Sequence, residues 1–287
     1  MRDVNIVNGF FPNKNFGDDM FLACAGEYVE GDYEVRNLAK ENKGYLTWLA
    51  YLFKRANSYT WLGGTFIDKD TTFPMLISML IEFTLVKLAG AKLTFVSVGL
   101  SRDVNLIKKL SLKYICWLAN DVSARDKDSF EAYKRHNKDM TLTGDIVVLN
   151  EGLFHKGVKQ SNRQLLFVSV DKNKSLQIFN DKQSVFKHLS STPAVVQVTS
   201  PYQAESQKRL SEEICSSLGC SYDCIDYSSF KEVLELIAES ECVITDRLHV
   251  AIAGVINNKP VYLFGVSEKL KGINDLLDTR GLLTLVS

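Results

Sequence analysis

Neither sign of charge predominates in this 287-residue sequence, because 34 lysines and arginines balance 34 aspartates and glutamates. A global basic field for nucleic acid is therefore missing, and any anion site must be built locally from a few residues. The opening stretch Met1–Gly9 is too short and too polar for a secretory apolar core and reads as a strand. No apolar run approaches the roughly 20 nearly unbroken residues of a membrane span. The most apolar stretch, Phe73 to Gly99, is interrupted by Glu82, Lys87, Gly90 and Lys92, which points to a buried helix followed by a strand. The six cysteines form no C-x-x-C pair, and Cys215, Cys220 and Cys224 have no histidine or fourth cysteine at zinc-like spacing. Small buried thiols in a reducing cytosol are the preferred reading, so neither a metal nor a cofactor is expected. Low-complexity segments and short repeats are missing too. A soluble, cytoplasmic chain is the expectation.

What is present is an alternation of short β-branched or apolar runs with longer helical patterns. The length favours two domains, and 46% hydrophobic residues supply two cores. Strands are expected at Val4–Gly9, Tyr33–Leu38, Tyr59–Leu62, Lys92–Val98 and Asp121–Ala124. The intervening helices are Asp18–Val29, Gly44–Arg55, Thr72–Ala89 and Val104–Leu112, with another opening at Asp126 before the apolar segment Ile146–Leu149. The polar, glycine-containing stretch Asn150–Arg163 is the candidate linker. Beyond it the rhythm restarts with strands Gln164–Val170, Ala194–Val198, Cys242–Thr245 and Pro260–Leu263, and helices Ser206–Ser217, Phe230–Glu239 and Arg247–Asn257. The expected class is α/β: two Rossmann-like doubly wound domains, residues 1–155 and 156–287, facing a cleft in a GT-B-like arrangement.

Four strand-to-helix junctions could carry chemistry. In Asn13–Asp19, Gly17 permits a tight turn before exposed helix amides, and Asp18 reads either as a site residue or simply as the helix cap. In Leu62-Gly63-Gly64-Thr65-Phe66, two glycines let backbone approach a ligand, although no G-x-G-x-x-G or Walker pattern is formed. In Val122–Ser129, Arg125 closes a strand, where it could fork onto a carboxylate or phosphate or form a surface ion pair. The strongest junction is Val243–Ala251, where an apolar strand runs into Asp246-Arg247-Leu248-His249 and then an apolar helix. A histidine beside an arginine at a helix start is a better candidate for acid–base work than a lone one. His136, His155 and His188 have no such setting.

Taken in order, these segments resemble the polysaccharide pyruvyl transferase family. The likeness rests on Asn15-Phe16-Gly17-Asp18, on Gly63-Gly64-Thr65-Phe66 and on Arg125-Asp126-Lys127-Asp128-Ser129. It continues in Asp145, in Arg247-Leu248-His249 with Gly254 to Pro260, and in Lys269-Leu270-Lys271-Gly272. The glycine-rich strand end Ser97-Val98-Gly99-Leu100 matches only in part, and the end at Ser287 leaves little room for a long returning helix. The resemblance implies phosphoenolpyruvate as donor, a sugar or lipid-linked oligosaccharide as acceptor, and a cyclic ketal as product, in polysaccharide or exopolysaccharide biosynthesis. A small molecule carrying both carboxylate and phosphate needs at least two cations. Arg125, Arg247 and Lys269 are assigned to it, with Asn15, Gly17, Gly63, Gly64 and Leu248 lining the substrates. His249 is assigned as general acid and Asp18 as base.

Two other classes compete. One is a GT-B-type glycosyltransferase using a nucleotide sugar, which would share the fold. The other is a non-catalytic glycan-binding protein of the same fold. The helix Gly44–Arg55 is apolar around most of its circumference and ends in two cations. It reads either as a peripheral contact at the inner face of the membrane or, preferably, as a buried helix with a basic last turn. The oligomeric state is left open.

Overall fold

A computed structural model describes residues 4–9, 11, 15–36, 44–65, 67–101, 104–157, 164–167, 193–196, 205, 208–210, 212–213, 216, 223–264 and 281–286. The chain divides into two compact units. The first comprises Met1–Pro12 and Phe21–Leu149, the second Asn13–Met20 and Asn150–Ser287. Among the described residues, Asn15–Met20 thus fall in the second unit.

The first unit is built on six strands: β1 (Val4–Asn8), β2 (Tyr33–Val35), β3 (Ala56–Leu62), β4 (Lys92–Val98), β5 (Asp121–Ala124) and β6 (Thr141–Leu142). They lie in the order β2-β1-β3-β4-β5-β6, every pair parallel. Parallel neighbours require crossovers, and the helical patterns supply them. They are α1 (Phe16–Ala23, of which Phe21–Ala23 fall in this unit), α2 (Tyr45–Arg55), α3 (Phe73–Leu88), α4 (Leu106–Leu118), α5 (Lys127–Tyr133) and the short α6 (Ile146–Leu149). Asn105 and Asp126 cap α4 and α5 through their side chains, accepting from the amides of Lys108 and Ser129. Alternation along β3 turns Tyr59 and Trp61 to one face, where both meet Phe83 of α3 edge-on, as does Phe95 of β4 at 5.1 Å. One side of α2 completes this core with Trp48, Leu49 and Leu52, while Leu46 and Phe53 on its other side are exposed, so this helix is half-buried.

Helix α3 departs from expectation. Leu76, Met79, Phe83 and Val86 are buried, but Ile77, Ile81 and Leu88 on the opposite side are exposed. The interrupted apolar run is therefore a half-buried helix, apolar on its outer side as well.

The second unit repeats the plan with β7 (Gln164–Phe167), β8 (Pro193–Val196), β9 (Asp223–Ile225), β10 (Cys242–Thr245), β11 (Val261–Phe264) and β12 (Leu283–Val286), in the order β12-β11-β10-β7-β8-β9, again all parallel. Its fully described helices are α7 (Phe230–Glu239) and α8 (Leu248–Ile256). Both sheets are doubly wound, as the βαβα rhythm implied. Of the expected helix Ser206–Ser217, positions 208–210, 212, 213 and 216 are helical and the rest lie outside the described residues. Strands β6, β9 and β12 are additions to the sequence reading. Within the expected linker, Glu151–Leu153 form a short turn of helix, Phe154 is buried, and the Lys156 amide donates to Asn257 Oδ1 at 2.8 Å.

Helix α8 is buried from Val250 to Ile256, and Gly254 is required there because a Cβ would stand 2.6 Å from Val261 Cγ2 on β11. Its exit is shaped by Asn258, whose φ of 56° is the left-handed conformation that glycine or asparagine adopts after a helix.

Candidate functional site

In the second unit the strand order reverses between β7 and β10, and ligands of doubly wound sheets collect at the carboxyl ends of the strands beside such a reversal. The carboxyl end of β10 leads into Asp246, Arg247, Leu248 and His249. Arg247 is the extended N-cap residue of α8, its amide donating to Thr245 Oγ1 at 2.9 Å, and its side chain makes no capping bond. Its position leaves the guanidinium available for work other than capping. Leu248 and His249 form the first turn of α8, both half-buried.

The first turn of α1 belongs to the same unit. Asn15, not Asp18, caps this helix: its Oδ1 accepts from the Gly17 amide at 3.1 Å and its carbonyl accepts from the Asp19 amide at 2.9 Å. Asp18 is thereby released from the capping role. Gly17 lies directly against the His249 imidazole, and a Cβ at that position would stand 2.3 Å from His249 Nδ1. Only the absence of a side chain lets the two helix starts approach so closely. Asp19 accepts a hydrogen bond from the Tyr227 hydroxyl, which ties α1 to the segment preceding α7.

Electrostatics follow from this packing. Burial pushes the Asp18 carboxyl up to about 7, with the nearby charge of His249 opposing the rise and that of Asp19 adding to it. Burial likewise raises Asp19, and the Tyr227 bond partly offsets that. Burial also works against the charged form of Arg247, with Asp246 opposing. A carboxyl that exchanges its proton near neutrality, an imidazole and a partly desolvated guanidinium form a set suited to moving protons beside an anion.

In the first unit the carboxyl ends of β3, β4 and β5 carry the other expected residues. Gly63 and Gly64 take φ of 62° and 72°, and Phe21 covers Gly63 so closely that a Cβ would meet its ring at 2.6 Å. These glycines serve the turn and its packing on α1. Arg125 is 6% exposed, so the alternative of a surface ion pair is excluded. Its Nε has no hydrogen-bond partner among the described residues. The guanidinium reaches Gly99, where a Cβ would be 3.0 Å from one of its terminal nitrogens and 2.7 Å from Thr65 Oγ1. Asp145 is buried, its Oδ1 accepting from the Val147 amide at the start of α6. Ser97 stands where the resemblance has a glycine, and it adopts φ 54° at a register shift of β4. The Ser97 hydroxyl secures this strained conformation by donating to the Gly144 carbonyl at 2.8 Å and accepting from the Ile146 amide at 3.2 Å.

The structure therefore groups Asn15, Gly17, Asp18, Arg247, Leu248 and His249 in one unit, and Gly63, Gly64 and Arg125 in the other. Lys269 lies outside the described residues. Sequence reasoning gave no role to Asp19 or Gly99 within their motifs and passed over Tyr227. Gly99 stands in the motif Ser97–Leu100 and could have been found there, but the pairing of Tyr227 with Asp19 spans 208 positions and left no local signal.

The family model for polysaccharide pyruvyl transferase matches residues 15–268. No curated protein matches significantly. Among solved structures, UDP-GlcNAc 2-epimerase from Methanocaldococcus jannaschii is similar over 100% of this chain and 89% of its own, with a TM-score of 0.62 and 14% identity. The S. aureus MnaA–UDP co-structure is similar over 99% and 84% respectively, with a TM-score of 0.59 and 11% identity. UDP-GlcNAc 2-epimerase from Neisseria meningitidis bound to UDP-GlcNAc matches over 95% and 85%, with a TM-score of 0.56 and 12% identity. At these identities the likeness is one of fold, and it extends over both units.

Proposed function

Since this chain belongs to the polysaccharide pyruvyl transferase family, we propose that it moves a pyruvyl group from phosphoenolpyruvate onto a sugar bearing two suitably placed hydroxyls. The observation that carries this reading is the contact of the Gly17 backbone with the His249 ring, which sets Asp18 and the imidazole in one electrostatic group beside Arg247. In the proposed reaction His249 protonates the methylene carbon of the donor, making C2 electrophilic. A first sugar hydroxyl attacks C2, phosphate leaves, and the second hydroxyl closes the ketal. The two hydroxyl protons balance the one gained by carbon and the one carried away with phosphate. Asp18, exchanging near neutrality, is suited to collect a proton from an attacking hydroxyl. Arg247 is assigned to a donor anion. Arg125 is assigned likewise, on its burial and unpartnered Nε.

The test is incubation with phosphoenolpyruvate and a panel of glycans, following phosphate release and the mass of an added pyruvyl group less water. His249→Ala should abolish turnover and leave donor binding largely intact. Thermal stabilisation by phosphoenolpyruvate, without stabilisation by nucleoside diphosphates, supports the reading. Stabilisation by UDP or UDP-sugars alone would replace it with a nucleotide-sugar enzyme.

A further inference from the structure

The outer surface of the first unit carries an apolar face that the proposed chemistry does not use. On α3, Ile77, Ile81, Thr84 and Leu88 follow one another at helical spacing on the side away from the core, and Leu88 is 71% exposed. On α4, Ile107, Leu110, Tyr114 and Trp117 do the same, with Trp117 69% exposed. The two stripes adjoin, because the hydroxyls of Thr84 and Tyr114 lie 3.0 Å apart. A helix apolar all round is ordinarily buried on every side. Here α3 is covered on one side only, and a contiguous exposed apolar patch of this kind marks an interaction surface.

Charge decides what covers it. Of the residues in α4, none is acidic, and its exposed charges are Lys109 and Lys113. Lys108 is turned inward, donating to the carbonyls of Asp68 and Lys69. The one acid of α3, Glu82, is buried in an ion pair with Arg36. The charge bordering the patch is therefore positive throughout these two helices. A second copy docking by two-fold symmetry would set lysines against lysines, with no acid on either helix face to pair them. An anionic lipid surface meets both requirements: it takes up the apolar side chains and attracts the lysines, while Trp and Tyr suit the headgroup level. No helix among the described residues is long and apolar enough to cross a membrane. The geometry thus favours a helix pair lying on the bilayer.

We propose that the α3–α4 face is a peripheral membrane-binding surface that docks the protein onto anionic lipid, through Leu88, Leu110 and Trp117 with Lys109 and Lys113. The inference stands apart from the pyruvyl-transfer reading, since lipid binding needs neither donor nor acceptor.

The chain has an internal probe. Of its three tryptophans, Trp48 and Trp61 are buried and only Trp117 is exposed. Vesicles of phosphatidylglycerol and phosphatidylcholine should bind the full chain in co-sedimentation and shift its emission to the blue. Pure phosphatidylcholine vesicles should bind far less, and added salt should weaken the anionic case. Lys109→Gln with Lys113→Gln should weaken binding roughly thirtyfold, at about fivefold per lysine. Trp117→Phe should abolish the blue shift while retaining most of the binding, which localises contact to this face. Leu110→Glu should abolish binding without changing the thermal midpoint, since Leu110 is exposed. The proposal is overturned if wild-type protein ignores anionic vesicles. It is equally overturned if sedimentation shows a dimer that Leu110→Glu converts to monomer, because a second copy then covers the face.

Discussion

Replacing Gly17 by alanine sets two physical effects against each other. Gly17 is the second residue of α1 and its φ is not positive, so alanine fits the backbone and a helix gains up to about 1 kcal/mol from the exchange. The added Cβ, however, would sit 2.3 Å from His249 Nδ1, where ordinary contacts begin at 3.4 Å. The imidazole must therefore retreat by about 1 Å, at an overpacking cost of roughly 1–3 kcal/mol. The net change in stability should be small, within about 2 kcal/mol, and the protein should remain folded. Catalysis should respond far more, since a displacement of about 1 Å at a reacting group can cost on the order of a hundredfold. With four histidines in the chain, the His249 imidazole can be assigned by heteronuclear NMR using His249→Ala as reference. Its signals should move in Gly17→Ala while those of His136, His155 and His188 stay in place. Phosphate release should fall about a hundredfold at an unchanged fold. Unmoved His249 signals together with turnover within threefold of wild type would refute the reasoning, because the contact on which it rests would then not exist.

Asp18→Asn should change the pH dependence of stability. The Asp18 carboxyl has a folded pKa of about 7, above its ordinary value of 3.8, so the folded state holds this proton more tightly than the unfolded one. Stability from this group is therefore lost as pH rises from about 4 to 7, by up to about 4 kcal/mol, and is flat above. In urea unfolding at pH 5 and pH 8, the asparagine variant should gain relative to wild type at the higher pH; equal differences at both would contradict the assignment. Arg125→Met removes a buried cation with an unpartnered Nε, so the free protein should melt at the same temperature or higher, while stabilisation by phosphoenolpyruvate disappears. Retention of that stabilisation would remove Arg125 from the donor site. Glu82→Gln leaves half-buried Arg36 without its carboxylate at 2.6 Å and should destabilise the first unit by about 3 kcal/mol in denaturant unfolding; a change below 1 kcal/mol would show that the pair contributes little.

Much of this molecule was legible in its sequence, for a definite reason. Parallel strands buried on both faces must be apolar runs, and the helices that cross between them must alternate with them, so β4, β5, α7 and β10 stand at the expected residues. The junction after β10 could be found because an arginine and a histidine at a helix start interrupt two apolar segments. Short edge strands such as β6, β9 and β12 escaped, since two to four residues carry too little periodicity.

Tertiary structure decided the rest. Sequence could offer Asp18 as a cap or a site residue; the fold gives the cap to Asn15 and buries Asp18 beside His249. It could name Gly17 as a turn glycine, but only the fold shows that its missing side chain makes room for an imidazole 232 positions away. Arg125 could have been a surface cation until the sheet buried it. The outward apolar side of α3 was read as core, because hydrophobic pattern reports that a residue avoids water and not which neighbour shields it. Local chemistry is written in the order of residues, whereas proximity between distant residues and the sidedness of a helix arise only once the sheets have formed.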